Sequence, residues 1–140
     1  MQVRLSLVVL MTLLLLATFA PVAPAETFEI AVVRYVESGR MLVEMRPLFE
    51  WLGWVVEWDA HKRQINGTNG EDGLTMWINN PEAWVNGVGY ILDVPPRLNW
   101  GKTYIPLRFV AEATGCQVDY YVTYIEITDE GNTLIVHIVD

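Results

Sequence analysis

Offset by 62 positions, the chain meets its own phrase again: GRMLVEMRPLFEWLG at 39–53 aligns without a gap on GKTYIPLRFVAEATG at 101–115. A self-match of this length constrains the fold more than any other feature, because a duplicated sequence must build the same local unit twice. Val43 falls on Ile105, Met45 on Leu107, Arg46 on Arg108, Leu48 on Val110, Glu50 on Glu112, Gly53 on Gly115, Val56 on Val118, Trp58 on Tyr120 and Ile65 on Ile127. Two residues then drop out in a turn, and Leu74, Met76 and Ile78 align with Leu134, Val136 and Ile138 at an offset of 60. A length change confined to a turn is what a duplicated folding unit tolerates.

Each copy reads as a short strand, a helix, a glycine stop and a pair of strands. In the second copy Pro106 suits a first helical turn, where its missing N–H needs no partner. Leu107, Val110, Ala111 and Thr114 follow at helical spacing, and Gly115 can adopt the left-handed conformation that ends a helix. A helix is therefore expected over 106–114. The first copy has Glu44 in place of that proline and Pro47 three residues on, so its helix is expected to start late, near Arg46, and to stop at Gly53. Beyond each glycine the hydrophobic period changes to two, in WVVEWD and CQVDYY, then RQIN and YIEIT, then LTMWI and LIVHI. Between the copies, Asn86-Gly87 sits among β-formers, the strongest hairpin signal in the chain. Pro95 and Pro96 fit only an edge or a connection. The expected class is α+β: a duplicated strand-helix-hairpin unit, with two short helices packed on a twisted, mostly antiparallel β-sheet or pair of sheets.

The N-terminus bears on where such a unit works. Arg4, an apolar run over 5–19 and the small-residue pattern Ala23-Pro24-Ala25 are the layout of a secretory signal peptide cut after residue 25. The rival is an uncleaved membrane anchor, although the run is shorter than the roughly 20 residues of a bilayer span. Residues 26–140 are then expected to form one domain of two repeats, about 27–80 and 81–140. All seventeen acidic residues but only eight of the nine basic ones lie in that part, a formal charge of −9. So acidic a surface repels nucleic acid and anionic lipid, which sets both aside as partners. A single cysteine, Cys116, allows no internal disulfide, and its flanks offer no histidine or lysine to activate a thiolate. It reads as a small buried apolar residue.

The second copy and its approach carry Asn86-Gly87, Val94-Pro95-Pro96, Gly101-Lys102-Thr103, Ile105-Pro106-Leu107-Arg108, Glu112-Ala113-Thr114-Gly115 and Val118-Asp119-Tyr120. The first carries Gly39-Arg40, Val43-Glu44-Met45-Arg46, Leu52-Gly53 and Val56-Glu57-Trp58-Asp59. Over nearly all of 26–140 this resembles the copper amine oxidase N-terminal, or stalk, domain family. It departs in lacking the proline of the first copy, the Trp-Asp of the second, and an Asn-Gly hairpin before the first, where TFEIAVVRYVESG stands. The resemblance implies a non-catalytic, exported, stalk-like module, bacterial and of Gram-positive type, working as a binding or spacing element at the cell envelope. It implies no active-site residue.

The residues themselves argue for chemistry only weakly. Metal ligation needs clustered His, Cys or carboxylate groups. His61 lies in a turn, His137 alternates outward, and neither is near Cys116 in sequence, so no copper or other cofactor is expected. Nucleophilic catalysis needs a positioned base beside a Ser or Cys, and Ser38 in a turn offers none. Arg46 with Glu50, like Arg108 with Glu112, stand four apart and can meet on one helix face. The structural role, arginine fastening the helix start while glutamate neutralises it, is favoured over ligand recognition, and recurrence suggests partial burial. Together with Gly53, Trp58, Pro106, Gly115 and Tyr120 these residues form the repeat's structural signature, Trp58 and Tyr120 as core. The six tryptophans exceed what such a core needs. Trp54 and Trp77 are expected on an exposed sheet face, and with Trp84 and Trp100 they are the candidate surface for stacking on sugar rings or covering a partner. A cell-wall glycan or another envelope protein is the expected partner class, and membrane only if the leader is retained. The alternatives are a cell-wall glycan-binding protein, ordinary packing of the aromatics, and a subunit of an exported enzyme.

Overall fold

At the centre of the molecule two strands meet antiparallel: β3 (Arg40–Glu44) and β10 (Lys102–Pro106), with Val43 opposite Ile105. These are the two residues that the 62-residue offset aligns, and both are buried. The computed structural model describes residues 21–33 and 35–139; the apolar run of the expected leader, 5–19, lies outside them. β3 and β10 form the middle of a four-stranded sheet, flanked by β2 (Tyr35–Glu37) and β9 (Arg97–Asn99) in the order β2-β3-β10-β9. Two-residue turns close both of its hairpins, Ser38-Gly39 and Trp100-Gly101, with every φ positive, as a turn matching the twist of its strands requires.

Each central strand runs directly into a helix. Helix α1 spans Met45–Trp51 and α2 spans Leu107–Ala113. The second begins one residue later than expected, because Pro106 still pairs with Leu42 and keeps an extended ψ of 108°. The first begins a residue earlier than expected. Pro47 stands third in it, where the amide has no intrahelical acceptor, so the ring costs no hydrogen bond. Gly53 and Gly115 follow the two C-caps with φ of +69° and +88°. α1 lies against β10 as well as β3, and α2 against β3 as well as β10.

After α1 come β4 (Val55–Asp59), β5 (Gln64–Thr68), β6 (Gly73–Trp77), β7 (Asn80–Val85) and β8 (Val88–Ile91), an antiparallel meander forming one five-stranded sheet. Asn86-Gly87 turns its last hairpin, with φ of +49° and +80°. After α2 come β11 (Gln117–Tyr120), β12 (Tyr124–Asp129) and β13 (Asn132–Val139), and the sheet is completed by β1 (Thr27–Val33) in the order β1-β13-β12-β11. β1 pairs with β13 in parallel, Thr27 opposite Thr133 through Val33 opposite Val139. Among the described residues the α+β class with two short helices and mainly antiparallel strands is thus present. The strands divide among three sheets rather than one or two, since each central strand gives way to a helix that redirects the chain.

One cluster of buried residues joins the sheets. It takes Leu48, Phe49, Ile65, Leu74 and Met76 from the earlier part of the chain, and Ile105, Leu107, Val110, Ile125, Ile127 and Leu134 from the later part. Cys116 belongs to it at 7% exposure. Burial pushes its thiol above the ordinary value, only partly offset by the Thr114 hydroxyl 3.6 Å away, so the sulfur stays protonated.

Across the sheet formed by β2, β3, β10 and β9, Arg97 clasps the Glu37 carboxylate through two nitrogens, its Nε at 2.9 Å. The hydrogen bonds from Arg97 hold Glu37 below its ordinary carboxylate value, against a smaller opposing effect of desolvation. A lowered folded-state value means stability that is complete above the unfolded carboxylate's range and lost as pH falls through the folded one. Between pH 7 and pH 3 the urea midpoint of the wild type is therefore expected to fall further than that of Glu37→Gln. Parallel acid losses in the two proteins would show that this pair carries no pH-dependent stability.

Candidate functional site

A cleft of about 540 Å³ lies beside α2. The β2–β3 hairpin supplies Val36, Gly39, Arg40 and Met41; the chain leaving β8 supplies Ile91 through Val94; α2 and its cap supply Pro106, Arg108, Phe109 and Glu112; β11 supplies Tyr120. An adjoining hollow of about 410 Å³, lined by Val85, Tyr90, Phe109, Glu112 and Ala113, shares two of these residues. The two form one groove, with Tyr90 against Phe109 edge-on at 5.8 Å between them. The free edge of the five-stranded sheet runs along it, since β8 is that sheet's last strand.

The floor is apolar and the rim is charged. Arg40 donates to Asp93 across one side, Nε to Oδ2 at 2.8 Å, with both side chains largely solvated. On the other side the Arg108 guanidinium lies 4.7 Å above the Tyr120 ring and 3.8 Å from Glu112. Arg108 and Glu112 are each 61% exposed, so the partial burial expected for the recurring pair is absent; such a pair contributes about 0.3–0.5 kcal/mol. The matching Arg46 and Glu50 also lie at the surface, and they are not among the ion pairs formed within the described residues. Arg108 at the start of α2 thus covers an aromatic ring rather than fastening a strand.

Trp58 and Tyr120, expected in the core, are 42% and 44% exposed. Each faces the same side as a buried isoleucine across the ladder, Ile65 and Ile125, but each sits on an edge strand with no neighbour to cover its outer flank. The opposite correction applies to Trp54, expected to be exposed and in fact buried at 8%. It precedes β4, and its amide bonds the Phe49 carbonyl, which folds the indole under α1 against the Phe49 ring at 6.1 Å. Trp77 is half-buried, Trp84 is 46% exposed and Trp100 is 91% exposed. Trp84 lies over Gly89 on the neighbouring strand, and Trp100 tips a hairpin of another sheet. The four tryptophans therefore do not form one continuous face.

Of the residues singled out in the sequence, the cleft gathers Pro106, Arg108, Glu112 and Tyr120 of the repeat signature, with Gly39, Arg40 and Val94 of the family motifs. Val36, Met41, Ile91, Asp93 and Phe109 gave no local signal, because they come from separate segments and carry no motif. His61 and His137 are both exposed. His137 Nε2 lies 3.2 Å from Glu29. Among the described residues no three His, Cys, Asp or Glu side chains converge as metal ligands. What this groove can do is hold an amphipathic group: apolar surface below, paired charges and an aromatic ring above.

Compared with known families, residues 23–129 match the model described as Copper amine oxidase N-terminal domain. No curated protein matches the chain.

Proposed function

The chain belongs to the copper amine oxidase N-terminal domain family, and from that premise we propose that it is an exported, non-catalytic, stalk-like module acting as a spacing or binding element at the cell envelope. The observation that carries spacing is the pairing of the first and last strands. β1 and β13 are neighbours and parallel, so residues 26 and 139 lie at opposite ends of the pair. Tension between those points loads the inter-strand hydrogen bonds along the strands, and the bonds must give way together. In single-molecule pulling, where the unfolding barrier sets the response, attachment at residues 26 and 139 is expected to give the higher unfolding force. Attachment at 26 and 132, which meet at one end through the Glu26 amide and Asn132 Oδ1 at 3.2 Å, peels the strands apart singly. Equal forces in the two geometries would remove the ground for a spacer.

We read residues 26–140 as one domain built by duplication. Supporting that are the identical element order β3-α1-β4-β5-β6 and β10-α2-β11-β12-β13, the Val43–Ile105 pairing at the centre, and the shared buried cluster. Export and envelope location rest on the leader-like residues 1–25. Turnover of amines or of glycan by the purified protein would contradict the non-catalytic role.

Binding of cell-wall glycan is the second reading, favoured by the exposure of Trp84 and Trp100. Under it, retention on purified peptidoglycan is lost in Trp84→Ala or Trp100→Ala while the fold persists.

A further inference from the structure

Trp100 stands where folding has no use for it. At 91% exposure it adds nothing to the core, and its φ of +51° places a bulky side chain in the left-handed region, where this kind of turn favours Asn or Gly. The offset of 62 aligns it with Ser38, the corresponding residue of the β2–β3 hairpin. The two tips therefore end differently: one projects an indole, and the other, small, borders the cleft through Gly39. Since β3 and β10 run antiparallel about Val43 and Ile105, the tips point away from each other, on the order of 25 Å apart at 3.3 Å per residue.

We propose that the Trp100 hairpin of one copy docks in the cleft of the next, so that the protein associates head to tail. The cleft of about 540 Å³ has room for the indole together with Leu98, itself 48% exposed beside it. Val36, Met41, Ile91 and Phe109 offer the apolar surface, and the Arg108 guanidinium on the rim offers a cation to the ring. Charge does not oppose the contact. Arg97 and Lys102 of the hairpin are paired with Glu37 and Glu44, and Asp93 and Glu112 of the cleft rim with Arg40 and Arg108, so both surfaces are charge-balanced in a chain with seventeen acids and nine bases. Knob and cleft are different surfaces at opposite ends, so the contact is heterologous and repeats from copy to copy. One hairpin covers less than the about 800 Å² per partner of a stable interface, which makes the association weak in solution. It strengthens where copies are held side by side.

Sedimentation of the purified protein tests this at concentrations up to about 1 mM. The wild-type mass is expected to rise with concentration. Trp100→Asn, which keeps the turn and relieves its backbone, is expected to weaken association about thirtyfold, the effect of losing an interface anchor. Ile91→Glu, at a 76% exposed position in the cleft, is expected to do the same. An equimolar mixture of the two variants should form dimers and stop there, because one retains the cleft and the other the indole. Unchanged or raised melting temperatures show that both variants are folded. A wild type that stays monomeric, association indifferent to Trp100→Asn, or variants that fail to complement each other would each overturn the proposal. Trp100-dependent retention of a monomer on peptidoglycan would also overturn it, assigning the indole to glycan, while the pulling experiment would still decide the spacer role separately.

Discussion

Ile105→Ala is expected to cost about 2–5 kcal/mol, the range for truncating a fully buried aliphatic side chain, and to destabilise the earlier half of the chain as much as its own. Ile105 is 0% exposed and faces Val43 across the central pair. Trp51, Trp54, Trp58 and Trp77 all precede residue 80, so tryptophan fluorescence reports largely on the earlier half. If one core unites both copies, a cavity made at 105 lowers the urea midpoint seen by those tryptophans and by far-UV circular dichroism together, in a single transition. A fluorescence midpoint that stays at the wild-type value while the dichroism splits into two steps would mean that the halves unfold apart.

Phe49→Ala should be the most damaging single change on α1, at about 3–5 kcal/mol. Its ring is 1% exposed and fills the space between Trp54 and the backbone of Gly67. A methyl group built on Gly67 would lie 2.9 Å from Phe49 Cε1, closer than carbon atoms sit without displacement, while Trp54 Cε3 at 3.4 Å would be left in near-ordinary contact. Gly67→Ala alone is accordingly expected to cost about 1–3 kcal/mol through overpacking. Once Phe49 is alanine, the added methyl enters the vacated space and the cost of Gly67→Ala should nearly vanish, a coupling of about 0.5–3 kcal/mol in the double-mutant cycle. Additive losses would show that something other than the Phe49 ring holds position 67 to glycine.

How far the sequence foretold the structure depends on the range of the interactions concerned. Asn86-Gly87 and the glycines that follow each helix act within four or five residues, and all appear where expected. The two helices each start one residue from the expected position, in opposite directions. Pro106 remains extended because β3 holds it, a partner 64 residues away, and Pro47 does no harm because its amide is in the free first turn. Period-two alternation assigned faces correctly but not burial. Trp58 and Tyr120 lie on the inward faces and are still half-open to solvent, because a face is local whereas an edge is defined by the absence of a further strand. Trp54 departs from its expected exposure for the complementary reason: it precedes the strand, and the turn after α1 carries it beneath the helix. The cleft was not legible as a site: Pro106, Arg108, Glu112 and Tyr120 stood out only as the repeat's structural signature, none of the four candidate tryptophans lines it, and Val36, Ile91 and Asp93 join it from segments whose convergence no local pattern records.

By itself the sequence determined most of the elements: the hairpin strands that follow each helix, where the two helices stop, which residues are apolar enough to be buried, and the family. Backbone conformation and side-chain periodicity are set over a few residues, and the self-matching phrase states them twice. Tertiary structure alone decided the partners. It joined the first strand to the last in parallel, set Val43 against Ile105, closed three sheets over one core, and left a cleft at one end with an indole at the other. Those choices depend on which distant surfaces exclude water from each other, a property of pairs of segments that neither segment carries alone.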